Sequence, residues 1–360
     1  MTSVLMTADA VGGVWTYALE LADALAPHGI SVTLATMGPP LSADQREQVA
    51  RSAVVDLHES HYALEWMADP WRDVERAGQW LLDVEGQVRP DVVHLNGYVH
   101  GQLPWRAPNV VVAHSCVVSW WKAVHGVEAP PDWDEYRRRV ACGLAAAGAV
   151  VAPTAAVLDD VQCCYGVAGG VVIPNGLRWR WGRARQKELI VMGCGRLWDE
   201  AKNLAMLDEV ASRLDWPVVI AGDDARPGKA AWAHGAAELL GWLSFDELAQ
   251  WLLRAAVFVH PARYEPFGLA ALKAALAGCA LVLGDIASLH EVWVDAALFV
   301  DPDDPDMLVA TVQQLVGDAD LLRTMGDRAR VRAQQFSAER MAAGYLDSYA
   351  LLPAGVGGTR

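Results

Sequence analysis

The chain of 360 residues has no surplus of positive charge: 29 Lys and Arg stand against 44 Asp and Glu, a formal net charge of −15. Nucleic acid and anionic lipid are polyanions, so neither is expected as a general partner, although a local basic pocket can still hold a phosphate. No apolar run is long enough to span a bilayer, and the opening MTSVLMTA lacks a basic leader region and a cleavage site. The expectation is a cytoplasmic protein without integral membrane association. Cysteine is sparse, and Cys-x-x-Cys is absent. Cys116, Cys142, Cys163, Cys164, Cys194 and Cys279 lie among apolar or small residues and are predicted to be reduced core thiols. There is no low-complexity tract and no G-x-G-x-x-G, which counts against a nicotinamide dehydrogenase. Metal-ligand spacing is missing too. The DPDDPD run at 301–306 resembles a metal-binding D-x-D, but Asp304 before Pro305 reads better as a helix N-cap with proline at the first helical position. Neither a metal nor a resident cofactor is expected.

What the chain does have is apolar content, 53% of its residues, enough for two full cores at this length. Short β-branched runs (SVLMTA, ISVTLAT, DVVHLN, NVVVAHS, AVVAPT, GGVVIPNG) alternate with helical segments such as VWTYALELADALA. Such alternation implies a parallel sheet covered on both faces. The basic, aperiodic stretch RWRWGRARQKE at 178–188 reads as a linker, and a second alternating series follows it. The expected fold class is α/β, with two Rossmann-like doubly wound domains, 1–177 and 178–340, facing across a cleft. In such sheets ligands sit beyond the carboxyl ends of the strands, so the residues just after each strand are the ones to inspect.

Gly12 and Gly13 follow the first strand and open the first helix, where a ligand can approach the backbone and an anion can meet free N–H groups. The plainer reading is a strand-to-helix turn. Arg196 and Lys202 flank GRLWDEAKN after the first strand of the second series. Two cations there can neutralise a diphosphate, or they can be a solvated pair balanced by Asp199 and Glu200. In YEPFGLAAL, Pro266 biases Glu265 to an extended conformation, and Phe267, Gly268 and Leu269 begin a helix. A carboxylate at that point can accept hydrogen bonds from sugar hydroxyls while the helix amides hold phosphate; the alternative is an acid favouring the helix dipole. His114 ends NVVVAHS and can bond a substrate hydroxyl or be a satisfied core residue, the reading preferred for His94, His100 and His260. Sixteen tryptophans are unusual, and seven fall between Glu65 and Asp134. Their indole faces can stack on sugars or fill a core; Trp15, Trp120 and Trp121 are candidates for an acceptor pocket.

Taken together the residues resemble a GT-B glycosyltransferase of family 4, the large retaining group. The resemblance covers nearly the whole chain: VGGVWTYALELADALAPHGISVTLAT, DVVHLNG, VVVAHS, VVIPNGL, GCGRLWDEAKNL, and an almost continuous match from GWLSFDELAQ to DPDDPDML. It implies that the last helix, within 341–360, crosses back onto the first domain. It implies that Glu265 holds donor-sugar hydroxyls, that the amides of Phe267, Gly268 and Leu269 with Gly12 and Gly13 cradle the diphosphate, and that Arg196 and Lys202 neutralise its developing charge. By the same resemblance, His114 sits beside the donor sugar and the backbone near Leu243 meets the base. The implied reaction is retaining transfer from a nucleotide-diphosphate sugar to a small-molecule or glycan acceptor. It needs no metal, and a donor phosphate oxygen helps to deprotonate the acceptor. Two departures stand out. The Arg196-to-Lys202 spacing is one residue longer than common, and Lys273 stands where the family has a second Glu on the nucleotide ribose. A UDP- or GDP-sugar is the expected donor, and Lys273 leaves a deoxythymidine diphosphate sugar open. Two other classes are consistent with the residues: a GT-B enzyme that is not a transferase, such as an epimerase or phosphorylase, and a nucleotide-sugar-binding protein without turnover.

Overall fold

The computed structural model describes residues 2–182, 186–222 and 235–352. Parts of the sequence readings lie outside them: 183–185 of the basic linker, Asp223 after the strand WPVVIAG, and the tail 353–360.

The chain forms two compact units, 1–122 with 127–176 and 337–360, and 123–126 with 177–336. The first begins β1 (Thr2–Asp9), α1 (Gly13–Leu25), β2 (Ile30–Met37), α2 (Ala43–Arg51), β3 (Val54–Glu59), α3 (Trp71–Val88) and β4 (Val92–Leu95). It continues with β5 (Asn109–Val112), α4 (Val117–His125), α5 (Asp134–Ala146), β6 (Ala149–Ala152), α6 (Ala155–Tyr165) and β7 (Val171–Val172). The second unit holds β8 (Glu188–Cys194), α7 (Leu204–Val210), β9 (Val218–Ala221), β10 (Glu238–Gly241), α8 (Phe245–Arg254) and β11 (Ala255–His260). It is completed by α9 (Leu269–Ala277), β12 (Ala280–Gly284), α10 (Ala287–Trp293), β13 (Leu298–Val300), α11 (Pro305–Gly317) and α12 (Ala319–Ala333). The last helix, α13 (Ala338–Ala350), belongs to the first unit.

Both sheets are parallel throughout. Their strand orders are β3-β2-β1-β4-β5-β6-β7 and β10-β9-β8-β11-β12-β13. A strand covered by helices on both faces has no wet side, which is why β11 (AAVFVH) and β12 (ALVLG) are apolar along their length and buried at every residue. In each sheet the order reverses beside the first strand of the unit, at β1/β4 and at β8/β11. The loops leaving those strands diverge and open a crevice at their carboxyl ends. Those loops carry Gly12, Asn96, the 195–203 segment and Glu265.

Several helix starts are written locally. Ser42 and Gln45 form a capping box on α2, as do Ser244 and Glu247 on α8. Asp304 caps α11 by accepting from the Met307 N–H, with Pro305 at the first position, the arrangement expected for DPDDPD. α13 returns to the first unit and lays Met341, Ala342 and Tyr345 against the core that holds Tyr17, Ala18 and Leu21 of α1. Where the chain returns, a Cβ on Gly176 would lie 2.1 Å from the Ser337 carbonyl oxygen, so the close approach needs glycine.

The six cysteines are all free, but they are not all core residues. Cys142 on α5 and Cys163 on α6 are exposed, and Cys164 is half-buried. Among the described residues, no helix is long and apolar enough to cross a membrane.

Candidate active site

In the second unit the chemistry gathers where β8 and β11 end. Leaving β8, the chain folds 196–203 into a tight loop held from within: Asp199 accepts the Ala201 N–H and Lys202 N–H donates to the Asp199 carbonyl. Asn203, in the left-handed region at φ 52, sends its amide to the Pro261 and Pro302 carbonyls. The Ala201 carbonyl accepts from the Arg263 N–H. The loop after β8 is thereby stapled to the loop after β11, and this brings Lys202 to Glu265.

Glu265 is the centre of this half. Its Oε2 accepts from Lys202 Nζ at 2.8 Å and lies 3.2 Å from His260 Nε2; its Oε1 accepts the Gly268 N–H at 3.0 Å. The Glu265 backbone carbonyl is fixed by the Ser288 hydroxyl at 2.6 Å. Burial by itself would raise the pKa of this carboxyl. The Lys202 charge and the His260 contacts outweigh burial and hold it well below the usual carboxylate range. Glu265 is therefore an anion, anchored at the opening turn of α9, whose first N–H groups have no partner within the helix. Gly268 makes that turn at φ 91, in the left-handed region. Phe267 is buried in the core, so only its backbone can serve a ligand.

Arg196 pairs with Asp199 at 2.7 Å and lies 5.2 Å from the Trp198 ring. The two sequence-selected cations thus each meet a carboxylate, Arg196 within its loop and Lys202 across to Glu265. Leu243 lies between β10 and α8, partly buried against the core of the unit. Lys273, on α9, does not extend into open solvent: its Nζ sits 4.3 Å over the Phe245 ring, and Phe245 meets Trp181 edge-on at 4.7 Å. Nothing in the spacing of the sequence pointed to this aromatic seat. His260, read as a plain core histidine, proves to be 1% exposed with Nε2 on Glu265 and with Nδ1 lacking a hydrogen-bond partner. The clue was available: it stands five residues before Glu265, at the end of a strand.

In the first unit, Gly12 and Gly13 are exposed at the start of α1, with Gly12 at φ 78. His114 is half-buried just past β5. Its Nε2 lies 2.8 Å from Asn96 Oδ1, and Tyr17 packs edge-on against its ring at 4.5 Å. Burial pushes the His114 pKa down to about 3, so the ring is neutral near pH 7. His94 is fully buried and satisfied, with Nδ1 2.7 Å from the Tyr349 hydroxyl and Nε2 3.1 Å from that of Tyr17. His100 is likewise a satisfied core residue on the Val74 carbonyl. Trp120 and Trp121 are half-buried on α4 with ring centroids 5.9 Å apart. Trp15 is in the core, 5% exposed, its indole N–H on Gln48. Asn96, Tyr17 and Tyr349 escaped the sequence reading because their partners are remote in the chain. Among the described residues, no group of three or more His, Cys, Asp or Glu is placed to hold a metal ion.

Two doubly wound units, each with polar side chains clustered where its strand order reverses, define the GT-B class. Known families agree. Residues 11–178 match the model of Glycosyltransferase Family 4, and residues 188–318 match that of Glycosyl transferases group 1. The O-antigen chain mannosyltransferase B of Escherichia coli is 30% identical over 148 residues, 39% of each chain. The D-inositol 3-phosphate glycosyltransferase of Jonesia denitrificans is 24% identical over 398 aligned positions, covering 95% of this chain and 92% of that protein. The sucrose-phosphate synthase of Thermosynechococcus elongatus superposes with a TM-score of 0.79 at 17% identity, over 97% of this chain and 98% of that one. The chain is a glycosyltransferase of the GT-B fold, related to the family 4 and group 1 glycosyl transferases.

Proposed function

We propose that the protein is a cytoplasmic retaining hexosyltransferase that works without a metal ion, on a UDP- or GDP-sugar and a small-molecule or glycan acceptor. The observation that carries this reading is the Lys202–Glu265 pair at the N-terminus of α9. A half-buried anion with hydrogen-bond acceptors to spare suits sugar hydroxyls, and the helix amides beside it suit a diphosphate. Lys202 and Arg196 then neutralise the charge that grows on the leaving diphosphate. Leu243 supplies backbone to the base, and the Trp120–Trp121 pair offers an apolar wall to the acceptor. The six free thiols support a reducing compartment.

Retention rests on the likeness to the family 4 enzymes; Lys202, His260 and the Gly268 amide surround Glu265, and front-face transfer asks no proton acceptor of them. The bond from the anomeric carbon to the phosphate oxygen breaks. The acceptor oxygen bonds to that carbon on the same face, and its proton passes to the departing phosphate. The test is nucleoside diphosphate release over a donor panel, with and without acceptors, followed by NMR of the product. Acceptor-dependent release, undiminished by EDTA and with the anomeric configuration kept, is expected. An inverted product, or loss with EDTA restored by Mg²⁺ or Mn²⁺, overturns the reading.

A further inference from the structure

A short hydrogen-bonded chain in the first unit decides which nitrogen of His114 carries its proton. It starts at Thr7 on β1. The Asn96 side-chain nitrogen lies 2.6 Å from the Thr7 carbonyl oxygen, and the Asn96 backbone N–H donates to the Thr7 hydroxyl at 2.9 Å. A carbonyl only accepts, so the amide atom facing it is Nδ2, and the flipped amide would set two oxygens against each other. Oδ1 consequently faces His114, 2.8 Å from Nε2. An amide oxygen also only accepts, so Nε2 must be the protonated nitrogen. Turning the ring over would replace Nε2 by a carbon and lose the bond. Tyr17 packed edge-on at 4.5 Å holds the ring plane. Because the half-buried ring is neutral, its other nitrogen carries a lone pair, and Nδ1 takes no hydrogen bond from any described residue.

We propose that Asn96 is a positioning residue that holds His114 as its Nε2–H tautomer and so presents Nδ1 to the ligand as a pure hydrogen-bond acceptor. The group that satisfies such an atom must donate, and a nucleotide-sugar donor offers sugar hydroxyls and base N–H groups for that; an ionised phosphate or a carbonyl oxygen is rejected. The tautomer lock stands on its own geometry, whereas the hydroxyl as its purpose rests on the reading of His114 given above. His94 supports Asn96 from behind, with Nε2 3.3 Å from the same Oδ1, and is itself tied through Nδ1 to Tyr349. The returning helix α13 therefore braces the residue that orients His114.

The experiment is ¹H–¹⁵N NMR on full-length protein labelled at histidine, with the His114 signals assigned from their loss in His114→Ala. In the ligand-free wild type, His114 should show a protected Nε2–H and an unprotonated Nδ1. Asn96→Ala should lose the protected Nε2–H signal and populate both tautomers, with kcat/KM for the donor falling roughly tenfold, as for one hydrogen bond. A wild type protonated on Nδ1 overturns the lock whether or not any variant folds, and so does an Asn96→Ala protein with unchanged tautomer and turnover. A locked wild type whose His114→Ala variant retains full turnover overturns instead the role assigned to His114.

Discussion

Glu265 shows how one side chain is made to stay charged while largely withdrawn from solvent. Burial works against the anion; Lys202, His260 and the Gly268 amide work for it, and they prevail. Glu265→Gln keeps the shape but replaces a charged acceptor with a neutral one and leaves Lys202 without its partner. Hydrogen bonds to charged groups are worth roughly 1.5–3 kcal/mol, so loss of one such bond to the donor should lower kcat/KM by about 10- to 100-fold. Steady-state rates and circular dichroism on the purified variant are the check, and near-normal turnover would remove Glu265 from the site. Lys273 poses a different question. Its ammonium, seated over Phe245, donates and cannot accept, whereas a carboxylate at that position would accept from both ribose hydroxyls. The wild type should discriminate weakly between UDP and its 2′-deoxy counterpart, and Lys273→Glu should favour UDP. Calorimetric affinities of both proteins for both ligands decide it; a wild type that already prefers UDP strongly, with no change in the variant, would refute it.

At the scale of elements, the site depends on where α9 begins. Gly268 sits at φ 91; its carbonyl accepts the first helical bond from the Leu272 N–H, and its own N–H binds Glu265. A Cβ there would lie 3.3 Å from Leu289 Cδ2 and 3.6 Å from Glu265 Cγ, in a backbone region that side chains disfavour by about 1–2 kcal/mol. Gly268→Ala should therefore lower stability by about that amount, read as a shift in urea midpoint at constant slope. It should lower donor affinity as well, because the amide that orients Glu265 moves. A variant with wild-type midpoint and wild-type nucleotide binding would show that the turn tolerates a side chain and is not a determinant of the site.

At the scale of the whole molecule, the neutral histidines make the fold sensitive to mild acid. Burial, with the charge of His114 added, pushes the His94 pKa down to about 3, and burial does the same for His114. Unfolded, both return to about 6.5. Between those values the unfolded chain binds protons that the folded chain refuses. Stability is thus full above pH 6.5 and is lost as pH falls toward 3, by up to about 1.4 kcal/mol per pH unit for each such histidine. Urea midpoints from pH 7.5 to 5 should fall, and His94→Gln should flatten the slope by about half of the two-histidine contribution. An identical slope in wild type and variant would show that His94 titrates alike in both states.

The amino-acid sequence by itself determined the strands, most helices and the loops that matter, because those are local properties. β-branched runs in β11 and β12, the Asp304–Pro305 start of α11 and the position of Glu265 just after a strand are each readable within a dozen residues. The cations Arg196 and Lys202 were legible as candidates for the same reason. Their partners were not. Lys202 meets Glu265 across 63 positions, and Tyr349 meets His94 across 255. Only strand order and the return of α13 bring those pairs together, and no periodicity in the chain encodes either. Trp15 was misplaced because an indole suited to a sugar wall is equally suited to a core, and burial depends on which elements pack above it. Lys273 looked like a missing carboxylate until the fold set Phe245 beneath it. The tautomer of His114 hangs on an amide clamped by Thr7, 89 positions earlier in the chain than Asn96. That constraint arises only when β4 pairs beside β1, since the direction of a hydrogen bond is a property of facing atoms and not of neighbouring letters.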